Sequence, residues 1–113
     1  MNQINRRVVV TGLGAISPVG NDVKTSWDNL VSGVHGIGPI TRFDTTEYKA
    51  KLAAEVRNFD ARQYMEKAET LRSDLYAQYA LASACQAVEE SGILGTVDPE
   101  RFAVYFGSGI GGI

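Results

Sequence analysis

Apolar positions fall into two kinds of pattern along this chain. Val8, Val9 and Val10 form an unbroken β-branched run closed by Gly12, which predicts a buried strand over 7–11. "KLAAEV" predicts a short strand over 52–56, and "FAVYF" another over 102–106. Between the first two, Asn21 or Asp22 stands where it can cap a helix carrying Trp27, Leu30 and Val31, with Gly33 as its stop. "GVHGIGPITRFDTTEY" reads as loop, anchored by Ile37, Ile40 and Phe43, and "NFDARQYM" as a turn followed by a brief helix. Strands alternating with helices place the chain in the α/β class.

The most informative segment is "RSDLYAQYALASACQAVEESGI". Alanine, leucine and glutamine favour helix, and Gly92 supplies the stop. Fourteen residues between Asp74 and Glu89 carry no charge. Leu75, Tyr79, Ala82 and Cys85 line one face, and Ala77, Leu81, Ala84 and Val88 another. Apolar residues on both faces predict a helix enclosed by other elements rather than one lying on a surface. At about 1.5 Å per residue the uncharged part is about 21 Å long, too short for a bilayer. Three short strands and two short helices are too little to wrap it. The chain also stops inside a strand-to-loop transition. Both features predict that residues 1–113 are an incomplete N-terminal half-domain of something larger.

Composition narrows the chemistry. Apolar residues make up 44% and charged residues 21%, an ordinary globular balance. Eleven basic residues face thirteen acidic ones without a basic run, so no nucleic-acid partner is expected. No signal-peptide pattern and no membrane-length apolar run occurs. A single cysteine, Cys85, excludes an internal disulfide and fits a cytoplasmic protein. One histidine, His35, sits among glycines in a predicted solvated loop, and no metal-ligand cluster is present.

Gly107, Gly109 and Gly112 spell G-x-G-x-x-G after a predicted strand. A dinucleotide site also needs a helix opening at the motif and an acidic residue about 20 positions later. The sequence ends at Ile113 and provides neither. Glycines after a strand also let backbone approach backbone or ligand closely, which suits the wall of an apolar pocket around Ile110.

Several stretches together resemble one family: "RRVVVTGLGAISPVGND", "W..L..G..GI..I..FD", "NFD", "D..AQYALASACQAVEESGI" and "GSGIGGI". In order and spacing they resemble the N-terminal part of the β-ketoacyl-acyl carrier protein synthases, especially the type II condensing enzymes. The resemblance implies a thiolase-like fold of alternating layers, α-β-α-β-α in the N-terminal portion, with a buried central helix. It implies a homodimer that needs no cofactor. Its partners would be acyl carrier protein and its acyl and malonyl thioesters. The implied reaction is a decarboxylative condensation in fatty acid elongation, with a cysteine nucleophile, two histidines and a lysine that all come later than this chain. Cys85 does not match that nucleophile, so no catalytic residue is expected here. Ile110 matches the isoleucine that lines the acyl pocket, with Gly109 beside it. Lys67 and Arg72 fall where the family meets its acidic carrier protein, although Glu66 and Glu69 dilute that patch. A non-catalytic partner in polyketide synthesis, a stand-alone interaction domain and a nucleotide-binding domain are the competing readings.

Overall fold

A computed structural model describes residues 6–112. The helices begin where local chemistry starts them. Helix α1 spans Val23–Val31. Of its two predicted caps, Asp22 is the one used: its carboxylate accepts from the Thr25 N–H at 2.7 Å, satisfying one of the orphan donors of the first turn. Gly33 follows at φ +76°, beyond the Ser32 C-cap. A single 3-10 turn, Ala61–Gln63, is capped by Asp60, which also pairs with Arg62 at 2.9 Å. The short helix α2, Lys67–Thr70, opens on a reciprocal capping box between Glu66 and Glu69. Helix α3 spans Leu75–Ser91 and stops at Gly92, which takes the left-handed conformation at φ +61°. A second 3-10 turn, Pro99–Arg101, follows.

The strands depart from expectation. The one sheet among the described residues is two-stranded and antiparallel, β1 Ile37–Pro39 with β2 Leu52–Ala54, in the register Ile37↔Ala54, Gly38↔Ala53 and Pro39↔Leu52. Strand β2 is therefore shorter than 52–56, and β1 lies inside the stretch predicted as loop. Gly38 and Pro39 carry no strand signal of their own. Their pairing comes from the opposite chain, and Ile40 extends it by donating to the Lys51 carbonyl at 3.0 Å.

The predicted strands at 7–11 and 102–106 have no ladder partner among the described residues. Val8 is 93% exposed and Tyr105 is 91% exposed. A β-branched run marks a chain suited to a sheet, but a strand exists only where a second chain answers its N–H and C=O groups.

Packing is correspondingly thin. The buried apolar residues are Ala61 and Ala82, and Ser26, Glu55 and Gln78 are the buried polar ones. The accessible surface is 9489 Å², against about 6,000 Å² for a compact protein of this mass. The radius of gyration is 18.0 Å, against about 13 Å for a compact chain of this length. Helix α3 is covered on two flanks only. Leu75, Tyr76 and Leu81 on it remain 42–45% exposed. Of the two predicted apolar faces, Ala82 is fully buried, Cys85, Ala84 and Val88 are half-buried, and Leu81 is open.

Candidate functional site

The first flank of α3 is built by close backbone approach. A Cβ on Gly14 would fall on the Ser83 carbonyl oxygen, and one on Gly12 on the Ala87 carbonyl oxygen. Small side chains at 83, 87 and 91 leave room for this contact. Polar side chains beside them satisfy the approaching segment. The Ala15 N–H donates to Gln86 Oε1 at 3.0 Å, and the Leu13 N–H donates to Glu90 Oε2. Gln86 Nε2 then donates to the Asn21 carbonyl at 2.8 Å and to the Tyr64 hydroxyl at 3.0 Å. One amide thus ties three separate stretches of chain to α3.

The second flank is aromatic. Phe59 stacks near-parallel on Tyr64 at 6.3 Å and meets Tyr79 of α3 edge-on at 4.9 Å. Arg42 Nη2 donates to the Tyr79 hydroxyl at 3.0 Å. Gln78 closes the N-terminal end of this flank by donating to the Thr70 and Ser73 carbonyls at 3.0 and 2.9 Å.

A cleft of about 660 Å³ lies between residues 11–16, the Ser83–Ser91 part of α3 and residues 102–106. A smaller groove of about 280 Å³ continues between the start of α3 and the glycine turn, lined by Tyr76, Tyr79, Ala80, Ser83, Phe106 and Ser108. The turn itself is closed by the Gly111 N–H donating to Ser108 Oγ at 3.0 Å, with Gly111 at φ +78°, a conformation that favours glycine. Gly112 lies against the Asp74 side chain. The last residue of the motif, Ile113, lies outside the described residues.

Ile110 and Gly109 sit on this turn, both exposed, with Ile110 at 77%. Lys67 lies in α2 and Arg72 in the link to α3, and both are exposed. The turn lies at the N-terminal end of α3, where a Cβ on Gly112 would meet the Asp74 N-cap and one on Gly111 would stand 3.8 Å from Tyr76; Arg72 lies two positions before that cap in sequence. Cys85 is half-buried in the middle of the helix, far from any helix N-terminus that could stabilise a thiolate. Among the described residues no group of three or more His, Cys, Asp or Glu could hold a metal ion, and no helix is long and apolar enough to cross a membrane.

The carboxylates with lowered pKa are explained by hydrogen bonds, within local turns for Asp22, Asp44 and Asp60 and across the β1–β2 pair for Glu55. Hydrogen bonds from Thr25 hold Asp22 below the usual carboxylate range, those from Thr46 do the same for Asp44, and those from Thr41 for Glu55. Asp60 is lowered by hydrogen bonding to Arg62. None of these belongs to the glycine turn. Gln86, Gln78 and Asp74, which organise the site, all lie in the stretch that resembles the family, but that resemblance gave none of them a role. The signal visible for the two glutamines is that they are the long polar side chains in the uncharged run 75–88.

Comparison with known proteins gives this geometry a family. The family described as "Beta-ketoacyl synthase, N-terminal domain" matches residues 5–113. The 3-oxoacyl-[acyl-carrier-protein] synthase 2 of Staphylococcus aureus (strain COL) is 46% identical over 110 residues, covering 96% of this chain and 27% of that enzyme. The corresponding synthase of Vibrio cholerae is 47% identical over 109 residues, covering 96% of this chain and 26% of that enzyme. The chain thus spans about a quarter of the length of these curated relatives. The solved ishigamide ketosynthase/chain length factor superposes with a TM-score of 0.70 at 38% identity, over 77% of this chain and 22% of that one. Its mixed helix-and-sheet layout is therefore that of a ketosynthase N-terminal domain, and this chain belongs to the beta-ketoacyl synthase family.

Proposed function

We propose that this chain is the N-terminal part of a 3-oxoacyl-acyl carrier protein synthase acting in fatty acid elongation. The observation that carries the reading is the 46% identity to such a synthase over 96% of the chain. In the complete protein, the uncovered faces of α3 and the unpaired segments 7–11 and 102–106 lie within a thiolase-like α-β-α-β-α layering. The assembly is a cytoplasmic homodimer that needs no cofactor.

The reaction has two steps. A thiolate attacks the acyl thioester, an acyl–cysteine bond forms, and the carrier thiol leaves. Malonyl-carrier then loses CO₂, and the electron pair of the broken C–C bond forms the new bond to the acyl carbonyl as the cysteine thiolate departs. The nucleophile comes from outside residues 1–113, and Cys85 serves packing. This chain supplies one wall of the acyl channel through Ile110 and Gly109, and part of the carrier-protein surface through Lys67 and Arg72. Glu66 and Glu69 leave that surface nearly neutral, so most of the attraction for an acidic carrier comes from elsewhere in the protein.

The test is acyl-length profiling of the full-length protein that carries this chain, with Ile110→Phe beside it. Condensation that shifts to shorter acyl chains in the variant supports the reading, because an added ring overpacks the channel. An unchanged profile removes Ile110 from the channel. The likeness to a ketosynthase/chain length factor favours one second reading, a non-catalytic partner subunit. Acyl–cysteine trapping by mass spectrometry separates the two: a full-length protein that never becomes acylated is the silent partner.

A further inference from the structure

We propose that Asp74 is the seat of the glycine turn 107–112, and through that contact a positioning residue for acyl-length selection. The second half of this inference rests on the synthase reading; the first does not.

Asp74 occupies the N-cap position of α3, with φ −71° and ψ 158°. An aspartate there ordinarily accepts from a first-turn N–H. This one makes no such bond. Its side chain stands instead beside Gly112: a Cβ at 112 would fall on the Asp74 carboxyl group and 2.5 Å from the Asp74 Cβ. Rotating the carboxyl group away would still leave that Cβ in place. One residue earlier, a Cβ on Gly111 would stand 3.8 Å from Tyr76 Cε1, and the Gly111 N–H is taken by Ser108 Oγ. A Cβ at Gly107 or Gly109 would meet nothing within 4 Å. The turn therefore comes closest to α3 at its 111–112 end, whereas a side-chain carbon at 107 or 109 would stand in open space. Ile110 is the residue next to that close approach, so the Asp74–Gly112 contact sets where its side chain stands.

The experiment uses the full-length protein and a compensating pair. Gly112→Ala places a methyl group on Asp74 and pushes the turn off α3. Hydrogen exchange of the 107–112 amides is expected to rise about tenfold. The ratio of long- to medium-chain condensation is expected to move by about threefold or more. Asp74→Gly removes the three atoms nearest to that methyl group, and glycine is tolerated at an N-cap. Gly112→Ala combined with Asp74→Gly should therefore restore both readouts, and should also restore folding if Gly112→Ala alone prevents it. Asp74→Asn keeps the volume and should leave both readouts unchanged. Exchange unmoved by Gly112→Ala, or no rescue by Asp74→Gly, overturns the seat. Exchange that moves while the acyl ratio does not overturns the role in selection. A protein that performs no condensation, yet shows the exchange change and its rescue, sinks the synthase reading and leaves the seat standing.

Discussion

Gly14 and Ser83 meet backbone to backbone, with no room for a Cβ between them. The contact repeats at Gly12 and Ala87. Two residues of strand-like chain advance about 6.6 Å, and four residues of helix advance about 6 Å. Alternate glycines therefore stay in step with one helical turn. Leu13 and Ala15, between and beside them, give their N–H groups to Glu90 and Gln86 with the same spacing. The chain number rises as the helix number falls, so this segment runs antiparallel to α3. "TGLGA" is a groove-fitting sequence rather than a phosphate loop.

Gly14→Ala is expected to destabilise the full-length protein by about 1–3 kcal/mol, the usual range for forcing atoms into a filled space. The obstacle is a carbonyl within α3, which cannot turn aside as a side chain could. Thermal or urea unfolding measures it. A change within about 0.5 kcal/mol, the range of an ordinary surface substitution, would mean that the segment does not rest on α3.

Gln86→Leu removes the acceptor for the Ala15 N–H and the donor to the Asn21 carbonyl and the Tyr64 hydroxyl. Unsatisfied part-buried groups destabilise by about 1–3 kcal/mol each when water cannot reach them. Partial access here points to about 2 kcal/mol in total. Gln86→Glu keeps the acceptor and loses the donor, so it should fall between wild type and Gln86→Leu. Equal unfolding midpoints for all three proteins would show that the amide ties nothing down.

Glu55 gives a pH dependence. Its two carboxylate oxygens accept from the Thr41 hydroxyl at 2.7 Å and the Thr41 N–H at 3.0 Å, which lowers its pKa. A carboxylate with a depressed folded value contributes stability that is fully present above its unfolded value and is lost as pH falls through the folded one. Thr41→Val removes the hydroxyl donor. The stability gap between wild type and Thr41→Val should therefore be full at neutral pH and close on the acid side, below the ordinary glutamate range. A gap that stays constant through acid would show that the carboxylate charge plays no part.

The 113-residue chain expressed alone should expose its uncovered apolar surface. Val8, Val10, Val104, Tyr105 and Phe106 are all more than half exposed. Exposed apolar side chains in such number bind hydrophobic dyes and promote association. Light scattering and dye fluorescence test it, and X-ray scattering checks the radius of gyration of any monomer against 18.0 Å. A dye-silent monomer near the compact value of about 13 Å would show that the isolated chain closes over α3 by itself.

Local chemistry written in the sequence determined the helices. Asp22 caps α1, Gly92 stops α3, and the uncharged run between Asp74 and Glu89 marked α3 as a helix made for packing. The caps act within about one turn of their own position and the uncharged run lies within the helix itself, so no distant residue has to be known. The family was legible too, because spaced motifs survive as sequence. Tertiary structure alone decided the rest. Ile37–Pro39 became a strand because β2 lies opposite, whereas the β-branched run at Val8 did not, because no segment among the described residues answers it. Gly12, Gly14 and Gly112 are tied to particular neighbours, Ala87, Ser83 and Asp74, that stand between 38 and 75 positions away. A glycine's sequence shows that a close approach is permitted; only the folded chain supplies the backbone or side chain that makes the approach.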